Sequence, residues 1–92
     1  MKVHVEFLGF NFAVRKSRME VEFPGKTIAD LITELSRSMK EFKEAVLKAD
    51  GSLDEVVQIG LNEEEWILPD DVDKTELKDG DRLTFMMMAG GG

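Results

Sequence analysis

Leu83-Thr84-Phe85-Met86-Met87-Met88-Ala89-Gly90-Gly91-Gly92 is an apolar run that passes directly into three glycines. Side chains along an extended chain alternate between two faces, so Leu83, Phe85 and Met87 share one side while Arg82, Thr84, Met86 and Met88 share the other. The polar residues Arg82 and Thr84 mark that second side as the solvent face. Glycine lacks a Cβ, so Gly90, Gly91 and Gly92 can thread a channel too narrow for any side chain. Four extended residues from Ala89 reach roughly 13 Å. The stretch therefore reads as a strand carrying a handle, with a free carboxylate offered to the active site of another protein.

Working back from that strand, Lys78-Asp79-Gly80-Asp81 is a turn signal, and Pro69, Asp70 and Asp71 form a break. Val57, Ile59 and Leu61 alternate as a strand, and Trp66-Ile67-Leu68 follows the polar segment Asn62-Glu63-Glu64-Glu65 as a short partner strand. At the other end of the chain Val3, Val5 and Phe7 alternate with Lys2, His4 and Glu6, giving a first strand over residues 2–9. Leu8 breaks this pattern by placing an apolar residue on the polar face. Residues 10–18, with Asn11 and the basic trio Arg15, Lys16 and Arg18, are the expected hairpin connection. Met19, Val21 and Phe23 then face the core, with Glu20 and Glu22 outward, until Pro24-Gly25 ends the second strand.

Thr27 followed by Asp30 has the spacing of a capping box, in which a hydroxyl and an acidic side chain satisfy the first free helical donors. Ile28, Leu31, Ile32, Leu35 and Met39 form one apolar helical stripe. Phe42, Ala45, Val46 and Ala49 continue the spacing as a second short helix over residues 40–49, ended by Asp50-Gly51. The element order predicts an α+β fold, one mixed sheet with a main helix packed across it, as a single domain over residues 1–89 with a flexible tail at 90–92.

Composition narrows the function. Nineteen acidic against twelve basic residues give a net charge of −7, which disfavours nucleic acid and anionic membranes as partners and favours a basic docking surface. With no cysteine, disulfides, thiolate metal sites and a cysteine nucleophile are excluded, so any sulfur chemistry uses borrowed sulfur. The first residues alternate and lack the apolar core of a signal segment, and a cytoplasmic location is expected. The chain is 34% charged, while its only amide side chains are Asn11, Asn62 and Gln58, a balance also seen in heat-adapted proteins.

Three local patterns carry less. Pro24-Gly25-Lys26-Thr27 has the end of a phosphate-binding loop, but Glu20 stands where the earlier glycine belongs and Pro24 removes a donor. Asp70, Asp71 and Asp73 lack the glycine and the distant glutamate of a calcium loop. His4 has no partners at ligand spacing, and no metal site is expected.

The opening strand, the helix after Thr27, Ile59-Gly60-Leu61-Asn62, the Leu77-Lys78-Asp79-Gly80-Asp81 turn and the strand into glycines together resemble the ubiquitin-like sulfur carriers of the MoaD and ThiS type. The resemblance covers nearly the whole chain and implies the β-grasp fold. It implies that Gly92, or Gly91 if the last residue is trimmed, is adenylated and then converted to a thiocarboxylate. Such a protein is a sulfur donor and not itself an enzyme. It binds no cofactor of its own, and the ATP and Mg²⁺ belong to an E1-like adenylating enzyme. Length favours the small subunit of molybdopterin synthase, paired with the large subunit in a hetero-oligomer for molybdenum or tungsten cofactor synthesis. A ubiquitin-like modifier joined to lysines, a thiamine-pathway carrier and a non-covalent binding module are the competing readings. Gly90 and Gly91 would thread the partner, and Leu8, Phe85, Met86 and Met88 are the candidate partner interface. The chain departs from the family pattern in its third glycine and in Asn62-Glu63, where relatives carry Asn-Gly. A hairpin turn longer than the tight form is therefore expected.

Overall fold

Alternating residues along the first strand build the middle of the sheet. In the computed structural model, which describes residues 1–8 and 18–87, the chain runs β1 (Lys2–Leu8), β2 (Arg18–Glu22), α1 (Ile28–Ser38), α2 (Lys40–Val46), β3 (Val57–Leu61), β4 (Glu65–Ile67), a 3-10 turn (Pro69–Asp71) and β5 (Arg82–Met87). The expected 10–18 connection lies outside the described residues except for Arg18, the first residue of β2. The strands form one sheet in the order β2-β1-β5-β3-β4. β5 runs parallel to β1, and the other neighbours are antiparallel. This is the β-grasp arrangement, with two helices in place of one continuous segment.

The inward faces are the ones that the alternation selects. Val3, Val5 and Phe7 from β1, Val57, Ile59 and Leu61 from β3, and Leu83 and Phe85 from β5 share one buried cluster with Ile28, Leu31, Ile32 and Leu35 of α1. Phe7, Phe42 and Phe85 close the middle of that cluster. Phe85 stacks on Phe7 at 5.8 Å between centroids and meets Phe42 edge-on at 5.1 Å. Met19 and Val21 are only half-buried, as befits β2 at the sheet edge.

α1 begins where the capping box places it. The Asp30 amide donates to Thr27 Oγ1 at 3.2 Å, and the amides of Thr27 and Lys26 donate to Asp30 Oδ2 at 3.1 and 3.0 Å. Those backbone donors hold the Asp30 carboxyl below its ordinary value. These bonds also occupy the Lys26 and Thr27 amides of the Pro24-Gly25-Lys26-Thr27 segment with the chain's own carboxylate. Gly25 is required by close approach, because a Cβ there would lie 2.6 Å from the Phe23 ring.

Two boundaries differ from expectation. The second helix stops at Val46, not at residue 49, because Leu47 turns extended and bridges to Leu53. Ala49 is exposed, so it has no buried face to prolong the helix. The short strand is Glu65–Ile67, and Leu68 projects into solvent.

The β3–β4 connection is longer than the tight two-residue form, as expected, since Asn62, Glu63 and Glu64 lie between the paired Leu61 and Glu65. Asn62 and Glu63 both adopt positive φ, 54° and 61°, and the Glu64 amide donates to the Leu61 carbonyl at 3.1 Å, the pattern of a mirror-image two-residue turn. Glu64 is then one extra residue before Leu61 pairs with Glu65. Asn62 tolerates this conformation and fastens the turn to β5. Its Oδ1 accepts from the Arg82 amide at 2.9 Å, and its Nδ2 donates to Asp81 Oδ1 at 3.1 Å. The Lys78–Asp81 turn is likewise tied to β1, through Gly80 N–H to the Lys2 carbonyl at 2.7 Å, with Gly80 at φ 89°.

Candidate functional site

The face of the sheet opposite α1 is uncovered by the described residues, and strand register sets which side chains meet there. Across its middle row Arg18 opposes Glu6, Glu6 opposes Thr84, Thr84 opposes Gly60 and Gly60 opposes Trp66. In the next row Leu8 opposes Met86, and Met86 opposes Gln58. Leu8 and Met86, two of the candidate interface residues, therefore lie side by side. Leu8 is 40% exposed and Met86 half-buried. Met88, the third member of that patch, lies outside the described residues, as do Gly90, Gly91 and Gly92.

Phe85 does not belong to this surface. It is 0% exposed, on the inward side of β5 among Phe7 and Phe42, so no docking protein can touch it without unfolding the domain. Its placement in the interface is corrected to a core role, for the alternation that sends Met86 outward sends Phe85 inward.

The residue that sequence reasoning missed is Trp66. It is 62% exposed and faces outward beside Gly60. A Cβ on Gly60 would lie 3.8 Å from Trp66 Cζ3, 3.8 Å from the Glu65 carbonyl oxygen and 3.9 Å from Thr84 Cβ, so the glycine leaves a hollow under the indole. The signal was the register: once Ile59 pairs with Ile67, Trp66 must lie across from Gly60 on the outer face.

A groove of ≈ 260 Å³ follows this hollow from Leu8 and Met86 to the β3–β4 turn. Leu8, Gly60, Trp66 and Met86 supply its apolar lining, and Glu6, Thr84, Glu63, Glu64 and Glu65 its polar lining. Glu6 is engaged, since Arg18 Nε donates to its Oε2 at 2.8 Å and Thr84 Oγ1 lies 3.5 Å from its Oε1. Glu63 meets Arg82 at 3.3 Å, both largely exposed. Among the described residues, no group of three or more His, Cys, Asp or Glu side chains is arranged to hold a metal ion, and no helix is long and apolar enough to cross a membrane. The arrangement is an uncovered, partly apolar face carried in part by Met86 of β5, the strand that precedes the glycines in sequence.

Comparison with known proteins agrees with this architecture. The ThiS family matches residues 5–92. Among solved structures, the chain is similar to the small archaeal modifier protein SAMP1 of Haloferax volcanii, at 18% identity and TM-score 0.77 with both chains fully covered. It is similar to SAMP1 of Methanosarcina acetivorans, at 18% identity and TM-score 0.78, covering 99% of this chain and 96% of that one. It is also similar to a protein of Pyrococcus furiosus described as a putative molybdopterin converting factor, subunit 1, at 29% identity and TM-score 0.68, covering 94% and 95%. No curated protein matches in sequence.

Proposed function

We propose a specific role from one premise: the chain belongs to the ThiS family of ubiquitin-like sulfur carriers. The role is that of the small subunit of molybdopterin synthase. Gly92, or Gly91 if the last residue is removed, is adenylated by an E1-like enzyme, converted to a thiocarboxylate and delivered to the synthase large subunit as sulfur donor for molybdenum or tungsten cofactor synthesis.

The observation that carries this reading is the outward-facing pair of exposed Leu8 and half-buried Met86, with Met86 on the strand that leads to Gly90, Gly91 and Gly92. A partner gripping that face receives the tail at high effective concentration. The likeness to the Pyrococcus furiosus protein supports the molybdopterin branch. A carboxylate is a poor electrophile, so activation as an acyl adenylate precedes attack by sulfur. The activating enzyme brings the ATP, the Mg²⁺ and the groups that stabilise the developing charge. This chain contributes an unhindered carboxyl and the surface that positions it.

The likeness to the two SAMP1 structures favours a second reading, a modifier joined to lysines through the same acyl adenylate. Intact mass of the protein from its native cells, with the C-terminal peptide mapped, tests the first reading. Replacement of oxygen by sulfur at the terminal carboxyl adds about 16 Da to the carrier. An unmodified carboxyl in cells making the cofactor, with hydrolysis excluded by a stable thiocarboxylate control, overturns it. High-mass conjugates that vanish on deletion of the glycines establish the modifier.

A further inference from the structure

The turn end of the sheet groove has a chemistry of its own. Trp66 lies 62% exposed above the Gly60 hollow, and the turn residues Glu63 and Glu64 border it. Among the described residues, no Lys, Arg or His lines the groove. Among the described residues the Glu64 carboxylate has neither a hydrogen bond nor an ion pair, and Glu63 has only its exposed contact with Arg82. The volume, ≈ 260 Å³, is below the roughly 300 to 1,000 Å³ of sites that enclose a free small molecule, and suits a single inserted side chain.

We infer that this end of the groove seats an arginine side chain of the protein that receives the tail, with the guanidinium against the Trp66 indole and its N–H groups on the Glu63 and Glu64 carboxylates. Charge complementarity selects the occupant. A cation is drawn both to the face of an indole and to carboxylates, of which Glu64 is unpaired and Glu63 holds only its exposed contact with Arg82, and a planar guanidinium serves both at once where the compact ammonium of lysine does not. An anionic occupant is repelled by the same carboxylates. A second copy of this chain would bring its own net charge of −7 toward an acidic groove. The identity of the occupant's protein rests on the carrier reading, while the chemistry of the seat does not.

Trp66 is the chain's only tryptophan, so its fluorescence reports on this groove alone. The full chain is titrated with the peptide acetyl-Leu-Arg-Leu-amide and with the same peptide carrying citrulline, a neutral near-isostere, in place of arginine. The expected result is a saturable emission change with arginine, at least about tenfold weaker with citrulline and about tenfold weaker in the Glu63→Gln/Glu64→Gln double variant. Amide NMR shifts centred on Gly60, Thr84 and Trp66 locate the binding independently of the fluorescence. Equal binding of the citrulline peptide, shifts located elsewhere, or no saturation up to about 10 mM overturns the seat. Arginine binding by a wild-type chain that never gains sulfur in its native cells retains the seat and removes the carrier reading. A sulfur-bearing chain that ignores arginine does the reverse.

Discussion

Leu8 and Met86 are direct cross-strand partners in the parallel pairing of β1 with β5. The register that sets them side by side also buries Phe7 against Phe85, because a strand's faces alternate. Exposure of the first pair and burial of the second are one structural decision, which separates substitutions that disturb docking from those that disturb folding.

Leu8→Glu and Met86→Glu are expected to fold, since neither side chain belongs to the buried cluster. Stability should change by no more than about 1 kcal/mol. Loading of the terminus by the cognate activating enzyme should fall at least about tenfold, the consequence of placing a charge in an apolar contact. Circular dichroism in denaturant and the rate of acyl-adenylate formation measure the two effects separately.

Phe85→Ala acts on the core. Removal of a ring packed between Phe7 and Phe42 should cost about 3 to 5 kcal/mol, a large share of the roughly 5 to 15 kcal/mol available to a small domain. Urea unfolding should show a midpoint far below wild type. A midpoint near wild type, with docking lost, would restore Phe85 to the interface.

Glu63→Gly should stabilise the domain. Glu63 occupies the left-handed region at φ 61°, where a side chain costs about 1 to 2 kcal/mol and glycine is at ease. The lost pair with Arg82 is exposed and returns little. A net gain of about 0.5 to 1 kcal/mol is expected in equilibrium unfolding, together with weaker seating of arginine in the groove.

The cap of α1 gives a pH signature. Thr27→Ala should cost about 1 kcal/mol by leaving the Asp30 amide without its acceptor. The backbone N–H groups of Lys26 and Thr27, which donate to the ionised Asp30 carboxylate, lower its folded pKa below the ordinary 3.8. Its contribution is therefore fully present above pH 3.8 and is lost as pH falls through the lower folded value. Acid unfolding of Asp30→Asn should lack that part of the pH dependence. Asp50, lowered by the Ser52 hydroxyl and amide, titrates in the same sense, so Asp50→Asn is the companion variant.

Much of this architecture was legible because local chemistry and tertiary packing agree in it. The alternation of Val3, Val5 and Phe7 names a buried face that the fold uses, and Thr27 with Asp30 caps the helix whose stripe begins at Ile28. The end of α2 was not legible, since the periodicity runs on to Ala49 while a long-range bridge from Leu47 to Leu53 stops the helix earlier. Trp66 was hidden for a related reason. Nothing local to Glu65–Ile67 shows that a glycine on β3 lies opposite the indole; only the pairing of the two strands does. Phe85 and Met86 are neighbours in sequence and both apolar, and the alternation already places them on opposite faces, so the core role of Phe85 was legible although it was counted with the interface.

The position of β5 bears on when the protein becomes competent. It follows β1 to β4 in chain order yet lies between β1 and β3, so until Arg82–Met87 is in place no strand pairing joins the β1–β2 hairpin to the β3–β4 hairpin. Joining them requires contacts such as His4 with Arg82, from opposite ends of the described chain, which makes assembly of the sheet a late and non-local step. Neither the Leu8–Met86 pair nor the hollow beneath Trp66 exists in an incomplete chain. Under the proposed carrier role, an activating enzyme that grips this surface would engage only molecules whose sheet is already assembled.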